Sequence, residues 1–116
     1  MVAGTWSAKD ALTTAVANMI EARYLGLVQG VEVPFYDSAG MQLGDHDILL
    51  SNSVLQIKGG TNTSRLFQQL EASEAAAGLP VLGYAPNLPA RAIRGIGLKG
   101  GAVTADIDLL LDVLEP

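Results

Sequence analysis

The sequence contains no cysteine, and this absence excludes three kinds of chemistry. Disulfide bonds, zinc sites built on thiolates and a cysteine nucleophile are all impossible in this chain. Aromatic residues make up only 5% of the sequence and histidine occurs once, whereas apolar residues reach 49% and charged residues 16%. For 116 residues, this composition predicts a single globular domain spanning 1–116 rather than a disordered chain.

Long hydrophobic runs are also missing. No apolar stretch approaches the roughly 18 residues of a membrane-spanning helix, so we predict no membrane span. The first residues, MVAGTWSAKDAL, lack the basic flank followed by an apolar stretch that is typical of a signal peptide. If the protein is exported, we expect another part of a larger polypeptide to carry the signal.

Basic residues are few, with 7 Lys and Arg against 12 Asp and Glu and a net charge of −5. This balance argues against a nucleic-acid-binding protein, because such proteins usually present an electropositive face. The distribution along the chain weakens that argument. Most of the basic residues lie in its middle and late part, at Lys58, Arg65, Arg91, Arg94 and Lys99. An acidic chain with this distribution can still present one basic cleft.

The pattern of apolar residues predicts an α/β fold with the order α-β-β-β-α-β, followed by a short α/β tail. We expect a helix over 8–25 capped by Ser7, strands over 31–37, 45–50 and 53–58, a helix over 64–77 capped by Thr63, a strand over 79–86, a brief strand over 102–104 and a final helix over 105–116. Pro34 indicates an edge strand or a bulge. The three middle strands then form a meander, and the fourth strand returns through a helical crossover.

Four polar residues are predicted to converge where this meander meets the second long helix. Asp47 opens the second strand, and Gln56 and Lys58 share one face of the third strand because they are two residues apart. Glu21, near the end of the first helix, is expected to lean over the same edge. Two carboxylates, an amide oxygen and an ammonium are suited to holding a hard divalent cation and stabilising a phosphodiester under attack.

The segment GDHDILLSNSVLQIKGG (44–60), with the helix before it and RLFQQLEASEAAAGLPVLGYAPN after it, resembles the PD-(D/E)xK nuclease superfamily. It is most similar to the short nuclease domains at the C-terminal tips of bacterial polymorphic toxins, including contact-dependent inhibition toxins. The resemblance implies a restriction-endonuclease-like core with a mixed central sheet flanked by helices. It assigns Asp47 to the family's aspartate, Gln56 to its acid position, Lys58 to its lysine and Glu21 to its first-helix glutamate. Polar residues of the second helix are expected to face the site: Arg65, Gln68 and Gln69.

The function implied by this resemblance is metal-dependent hydrolysis of DNA or tRNA. Asp47, Gln56 and Glu21 are expected to hold Mg²⁺ or Mn²⁺, and Lys58 to orient the attacking water. Arg91 and Arg94 are either a solvated loop or a track for phosphates. The protein is then the toxin domain of a larger secreted bacterial protein, acting in the cytoplasm of a target cell and paired with a cognate immunity protein.

Two alternatives remain at this point. One is a cytoplasmic repair or mobile-element nuclease of the same fold. The other is a non-catalytic α/β interaction domain, which is favoured by the acidic net charge and by the neutral Gln56 at a position where the family has an acid. Because His46 alternates with Asp47 along the strand, we expect it on the opposite side, away from the site.

Overall fold

The computed structural model describes residues 6–60, 66–98 and 102–116. In these ranges the chain forms a mixed five-stranded sheet flanked by helices. The elements in chain order are α1 (Ala11–Arg23), β1 (Val28–Tyr36), β2 (Gln42–Leu50), β3 (Val54–Ile57), α2 (Leu66–Ala77), β4 (Val81–Tyr84), α3 (Ala90–Leu98), β5 (Val103–Thr104) and α4 (Ile107–Val113). The predicted order α-β-β-β-α-β with an α/β tail is confirmed.

The strands lie in sequence order across the sheet, from β1 to β5. β1, β2 and β3 are antiparallel neighbours and form the predicted meander, whereas β3, β4 and β5 are parallel. A two-residue turn joins β2 to β3, since the Leu50 N–H donates to the Ser53 carbonyl across Ser51 and Asn52. The parallel return from β3 to β4 runs through α2, as the helical crossover requires.

The outer edge of the sheet at β1 is irregular. Pro34 lies in this edge strand, which confirms the prediction from its position in the sequence. Glu32 adopts a positive φ of 50°, and its carboxylate accepts a hydrogen bond from the Lys9 N–H. A proline and a left-handed residue interrupt the row of backbone groups that would otherwise pair with a further strand.

The core consists of two apolar layers, one on each face of the sheet. The first layer joins α1 and α4 to the sheet and contains Val16, Ala17, Ile20, Ile48, Leu50, Leu55, Tyr84, Leu110, Leu111 and Leu114. The second layer lies under α2 and contains Val54, Leu70, Val81, Ala85 and Leu88, with Ile93 of α3 packed against it. Adjacent residues on β3 contact opposite layers, because successive side chains of a strand point to opposite faces.

The first helix begins at Ala11 rather than at Ala8. Asp10 is its N-cap, and the Asp10 carboxylate accepts hydrogen bonds from the backbone N–H and the hydroxyl of Thr13. Ser7 was predicted to cap this helix, but residues 6–9 form no helical turn, and the Ala8 N–H instead donates to the Thr14 hydroxyl. The polar cap that is nearest to the first buried turn therefore fixes the start of the helix.

Other boundaries also differ from the prediction. β2 begins at Gln42, so Asp47 lies inside the strand and does not open it. The segment after β4 contains the nine-residue helix α3, which adds a helix between the strands predicted over 79–86 and 102–104. Gly78 has a φ of 67° and follows α2 as a left-handed C-terminal residue. The predicted cap Thr63 and the first residue of the predicted helix, Ser64, lie outside the described residues.

Within the described part of the chain, none of the helices is both long enough and apolar enough to cross a lipid bilayer.

Candidate active-site cleft between β2, β3 and α2

The candidate site lies where β2 and β3 stop pairing. The backbone ladder between them consists of Ile48 opposite Leu55 and Leu49 opposite Val54. Beyond it, the Ile57 N–H donates to the Asp47 carboxylate over 2.7 Å instead of to a backbone carbonyl. A buried backbone donor needs a partner, and here a side chain provides it. The acid is therefore held in place by β3, the strand that carries Gln56 and ends one residue before Lys58.

Gln56 is the second polar side chain at this point, and it is 95% buried. Its side-chain amide donates to the backbone carbonyl of Asp45 over 3.1 Å, so the amide group bridges β3 back to β2. The sequence placed a polar residue on an otherwise apolar strand, and the structure gives it a hydrogen-bonding partner at the site. Asp47 and Gln56 thus lie on neighbouring strands, each hydrogen-bonded to the other strand.

A cleft of about 790 Å³ opens beside these two residues. Its lining brings together residues from the start of α1, the β1–β2 hairpin, the end of β3 and α2. The lining residues that matter for chemistry are Asp10, Asp45, Asp47, Gln56, Lys58, Gln68 and Gln69. Five of the residues predicted from the sequence therefore surround one cleft: Asp47, Gln56, Lys58, Gln68 and Gln69.

Lys58 is held at the cleft through its backbone. Its N–H donates to the Tyr84 carbonyl at the end of β4 over 2.9 Å, which continues the parallel pairing by one residue. The next carbonyl, that of Gly59, accepts a hydrogen bond of 2.6 Å from the Asn87 side-chain amide. Asn87 was not predicted from the sequence. It follows β4 by three residues, and polar residues just past parallel strands are a signal that points to such a position.

The pKa of Asp47 is raised from its ordinary value of 3.8 to about 6. Burial of the carboxylate is the main cause, because a charged group loses its hydration there. The hydrogen bond from the Ile57 N–H opposes the rise, and the neighbouring carboxylates of Asp10, Asp45 and Glu32 add to it by repulsion. Among described residues, the lining of the cleft has three carboxylates and one ammonium, so a bound cation would be favourable there.

Glu21 does not reach this cleft, which corrects its predicted place in the site. One of its carboxylate oxygens accepts from the Trp6 indole N–H over 2.9 Å, and the other from the Gly26 backbone N–H over 2.8 Å. These two hydrogen bonds lower the pKa of Glu21, with the one from Gly26 contributing most. Glu21 therefore ties the N-terminal segment and the end of α1 together. The carboxylate that α1 brings to the cleft is its N-cap, Asp10.

Two of the predicted basic contacts are not brought to the cleft. Arg91 and Arg94 are exposed on α3 and do not belong to the lining. Arg65 lies outside the described residues. In the part of the chain that the structure describes, Lys58 is the one basic side chain that lines the cleft.

His46 is buried and does not belong to the cleft lining, but its ring packs toward α2, the helix that lines the cleft, and not on the far side of the sheet. Its ring stacks on Phe35 with 4.6 Å between the ring centroids, and its Nδ1 is hydrogen-bonded to the Ser73 hydroxyl of α2. Burial lowers the pKa of His46 and favours the neutral imidazole. The histidine therefore joins the hairpin to α2.

The donors at the cleft are oxygen atoms, which suits Mg²⁺ or Mn²⁺. Across residues 6–60, 66–98 and 102–116, no group of three or more acidic or histidine side chains has a metal-binding arrangement. Mg²⁺ is commonly bound through one or two carboxylates and retains several waters, so a full protein cage is not required. The Asp47 carboxylate and the Gln56 amide oxygen fit such a water-rich site, and the single charge predicts weak binding.

No family model, curated protein or solved structure matches this chain. The fold class is α/β, with a mixed five-stranded sheet flanked by helices and a polar cleft where β2 and β3 diverge.

Proposed function

We propose that this protein is a metal-dependent endonuclease that hydrolyses phosphodiester bonds in DNA or tRNA. The observation that supports this most is the meeting of Asp47, Gln56 and Lys58 in one cleft, on adjoining strands. The element order and the mixed sheet agree with the restriction-endonuclease-like core that the sequence resemblance implies. The PD-(D/E)xK assignment belongs to the same proposal.

In this proposal each cleft residue has a distinct task. Asp47 and the Gln56 amide oxygen hold Mg²⁺ or Mn²⁺, which supplies Lewis-acid stabilisation of charge on a phosphoryl oxygen. The Lys58 ammonium hydrogen-bonds the attacking water and offsets the negative charge that develops on the non-bridging oxygens. Gln68 and Gln69, exposed on α2 at the cleft, orient the substrate by hydrogen bonds.

The raised pKa of Asp47 also supports a functional role for the cleft. A buried carboxylate near other carboxylates costs folding energy, and such costs are concentrated at functional sites. The carboxylate is nevertheless positioned by a 2.7 Å hydrogen bond from the backbone of β3. A purely structural acid at this place would be more stable as an amide.

The biological setting follows from the sequence resemblance alone. We propose a toxin domain of a secreted bacterial polymorphic toxin, delivered into the cytoplasm of a target cell and neutralised by a cognate immunity protein. A cytoplasmic housekeeping nuclease of the same fold is the alternative setting. Induced expression in a bacterial host without an immunity gene separates the two, because the toxin arrests growth in a Lys58-dependent manner.

The first test is cleavage of plasmid DNA and of total tRNA, with Mg²⁺ or with EDTA. Wild type is compared with Lys58→Met, which keeps the alkyl chain and removes the ammonium. Lys9→Met is the matched control, since Lys9 is exposed and outside the cleft lining. We expect metal-dependent cleavage by wild type and the control, and a loss of at least about 100-fold in Lys58→Met. Cleavage that survives EDTA or Lys58→Met would contradict the proposal.

A non-catalytic α/β interaction domain is the second candidate. The neutral Gln56 at the acid position and the lack of a three-residue acidic or histidine metal group among the described residues favour it. The two candidates differ in their response to Mg²⁺. If the folded protein cleaves neither polymer and Mg²⁺ leaves its unfolding temperature unchanged, the interaction domain is the better assignment.

A further inference from the structure

The tip of the β1–β2 hairpin, residues 36–43, presents a cluster of exposed apolar side chains. Tyr36 is 55% exposed, Met41 68% and Leu43 57%. Seven large apolar side chains are exposed in the described part of the chain, and three of them are in these eight residues. Single exposed apolar residues are ordinary on protein surfaces, whereas such a concentration marks a contact surface.

The hairpin tip is built to hold one conformation. One oxygen of the Asp37 carboxylate accepts hydrogen bonds of 2.9 Å from the backbone N–H groups of Ala39 and Met41. The Asp37 N–H donates to the Met41 carbonyl, and Gly40 supplies the positive φ of 84° that the turn needs. An ordered turn loses little conformational entropy when it binds, so these side chains are displayed in advance for a ligand.

The hairpin tip is continuous with the proposed active-site cleft. Leu43, Gly44 and Asp45 of the same hairpin line the cleft, together with Phe35. The pairing between β1 and β2 shifts register between Phe35 and Tyr36, and this irregularity leaves Leu43 without a partner in the ladder. A β-bulge redirects the side chain that it contains. A polymer that lies in the cleft and extends past Leu43 therefore contacts the hairpin tip.

Charge decides which polymer surface fits there. Recognition of a duplex depends mainly on basic groups that contact successive phosphates. Of the basic side chains in the described ranges, Lys58 alone lines the cleft, and Arg23 is paired with Asp112 at 2.9 Å. A single strand carries phosphates as well, but its unpaired bases also offer uncharged planar faces that stack on aromatic and apolar side chains, a contact that a plain duplex does not provide.

We propose that the hairpin tip binds unpaired nucleobases, so that the cleft acts on single-stranded or looped nucleic acid rather than on a plain duplex. Tyr36 provides a ring for stacking, and Met41 and Leu43 of the same hairpin provide apolar contacts. This inference rests on the proposed nuclease function, since it names the form of the substrate that the same cleft accepts.

The test is a binding measurement in EDTA, where cleavage does not interfere. Fluorescence anisotropy compares a labelled single strand of about 12 nucleotides with the blunt duplex of the same sequence. The variant Tyr36→Ser/Met41→Ser/Leu43→Ser removes the apolar tip, and Leu25→Ser/Val113→Ser removes exposed apolar side chains elsewhere as a matched control. We expect wild type and control to bind the single strand at least about tenfold more tightly than the duplex, and the tip variant to lose at least about tenfold on the single strand.

Equal affinity for single strand and duplex, no binding of the single strand, or equal losses in the tip and control variants would each overturn the inference. So would self-association of wild type that the tip variant abolishes, because the hairpin tip would then be a contact between copies. If the triple variant fails to fold, Tyr36→Phe and Tyr36→Ser replace it. We then expect Tyr36→Phe, which keeps the aromatic ring, to retain single-strand affinity and Tyr36→Ser to lose it.

Failure of this inference is distinguishable from failure of the proposed function. Lys58-dependent cleavage of duplex DNA without single-strand preference keeps the nuclease and removes the role of the hairpin tip. Tight single-strand binding without any cleavage keeps the hairpin tip as a binding surface and removes the nuclease.

Discussion

Replacing Asp47 by asparagine is expected to stabilise the domain at neutral pH. The folded protein holds the pKa of Asp47 at about 6, against 3.8 for an ordinary aspartate. At about 1.36 kcal/mol per pH unit, this difference corresponds to about 3 kcal/mol of folding free energy. An uncharged amide avoids the burial cost and the repulsion from neighbouring carboxylates, and its oxygen can still accept the hydrogen bond from the Ile57 N–H.

The sign of the pH dependence follows from the direction of the shift. Because the folded pKa is raised, the folded state retains a proton that the unfolded state has already lost between about pH 4 and pH 6. Wild type therefore loses stability as the pH rises through this window, and the full cost of about 3 kcal/mol is present above about pH 7. Asp47→Asn carries no such cost, so its gain in stability over wild type is near zero at about pH 4 and largest above about pH 7.

The assay is urea unfolding of both proteins at a series of pH values from about pH 4 to about pH 8, with the transition monitored by circular dichroism. The lowered pKa of the buried His46 also makes stability depend on pH, since protonation of that ring favours unfolding as the pH falls. This contribution is common to both proteins and cancels in their difference. Glu74→Gln, at an exposed position on α2, controls for the loss of one negative charge.

A difference in the free energy of unfolding between Asp47→Asn and wild type that stays constant across this pH range would refute the reasoning. So would a variant that is less stable than wild type at about pH 8. Cleavage measured on the same samples adds the functional half of the prediction. Under the proposed function, Asp47→Asn is more stable and inactive, which is the signature of a residue retained for activity at the expense of stability.

Three further changes test other parts of the site. Gln56→Glu places a second buried carboxylate near Asp47, so we expect a lower unfolding temperature without metal and a larger rise with Mg²⁺ than in wild type, measured by thermal unfolding. In Glu21→Gln the side chain can accept only one of the hydrogen bonds from Trp6 and Gly26. We therefore expect red-shifted tryptophan fluorescence and a lower unfolding temperature, with Mg²⁺-dependent cleavage retained. Loss of cleavage in a folded variant would return Glu21 to the site. Asn87→Ala removes the hydrogen bond to the Gly59 carbonyl, next to Lys58. Steady-state kinetics should then show kcat reduced about tenfold with KM little changed, and a change in KM alone would contradict a positioning role.

The part of the fold that could be predicted from the sequence depends on local periodicity. The pairing of β2 with β3 could be predicted from the alternation along residues 45–50 and 53–58 and from the two-residue turn between them. The start of α1 could not be fixed in this way, because Ser7 and Asp10 are both good N-caps. The choice between them depends on the Thr13 and Thr14 side chains and on where the helix packs against the sheet.

The same distinction explains the candidate site. The placement of Asp47 near Gln56 and Lys58 follows from strand register, which the sequence specifies. The place of Glu21 depends on the rotation of α1 about its axis and on Trp6, 15 residues away in the chain. Asn87 reaches Gly59, 28 residues away in the chain, only because β4 lies beside β3. Contacts across such separations leave no pattern in a single sequence.

The electrostatics of the cleft link metal binding to substrate binding. Its described lining contains Asp10, Asp45 and Asp47 against the single ammonium of Lys58. Without a cation this surface repels a phosphate, and the same repulsion raises the pKa of Asp47. Under the proposed function, a divalent cation would relieve the repulsion within the protein and attract the phosphate, which favours metal binding before the nucleic-acid backbone enters the cleft. In the inference drawn above, the stacking of uncharged bases on the apolar hairpin tip needs no cation at the contact itself, whereas the phosphates of the same strand are still repelled by the acidic cleft. Under the two proposals together, a substrate is held at the hairpin tip by its bases and its phosphate enters the cleft with the metal, an order that makes an acidic chain compatible with action on a polyanion.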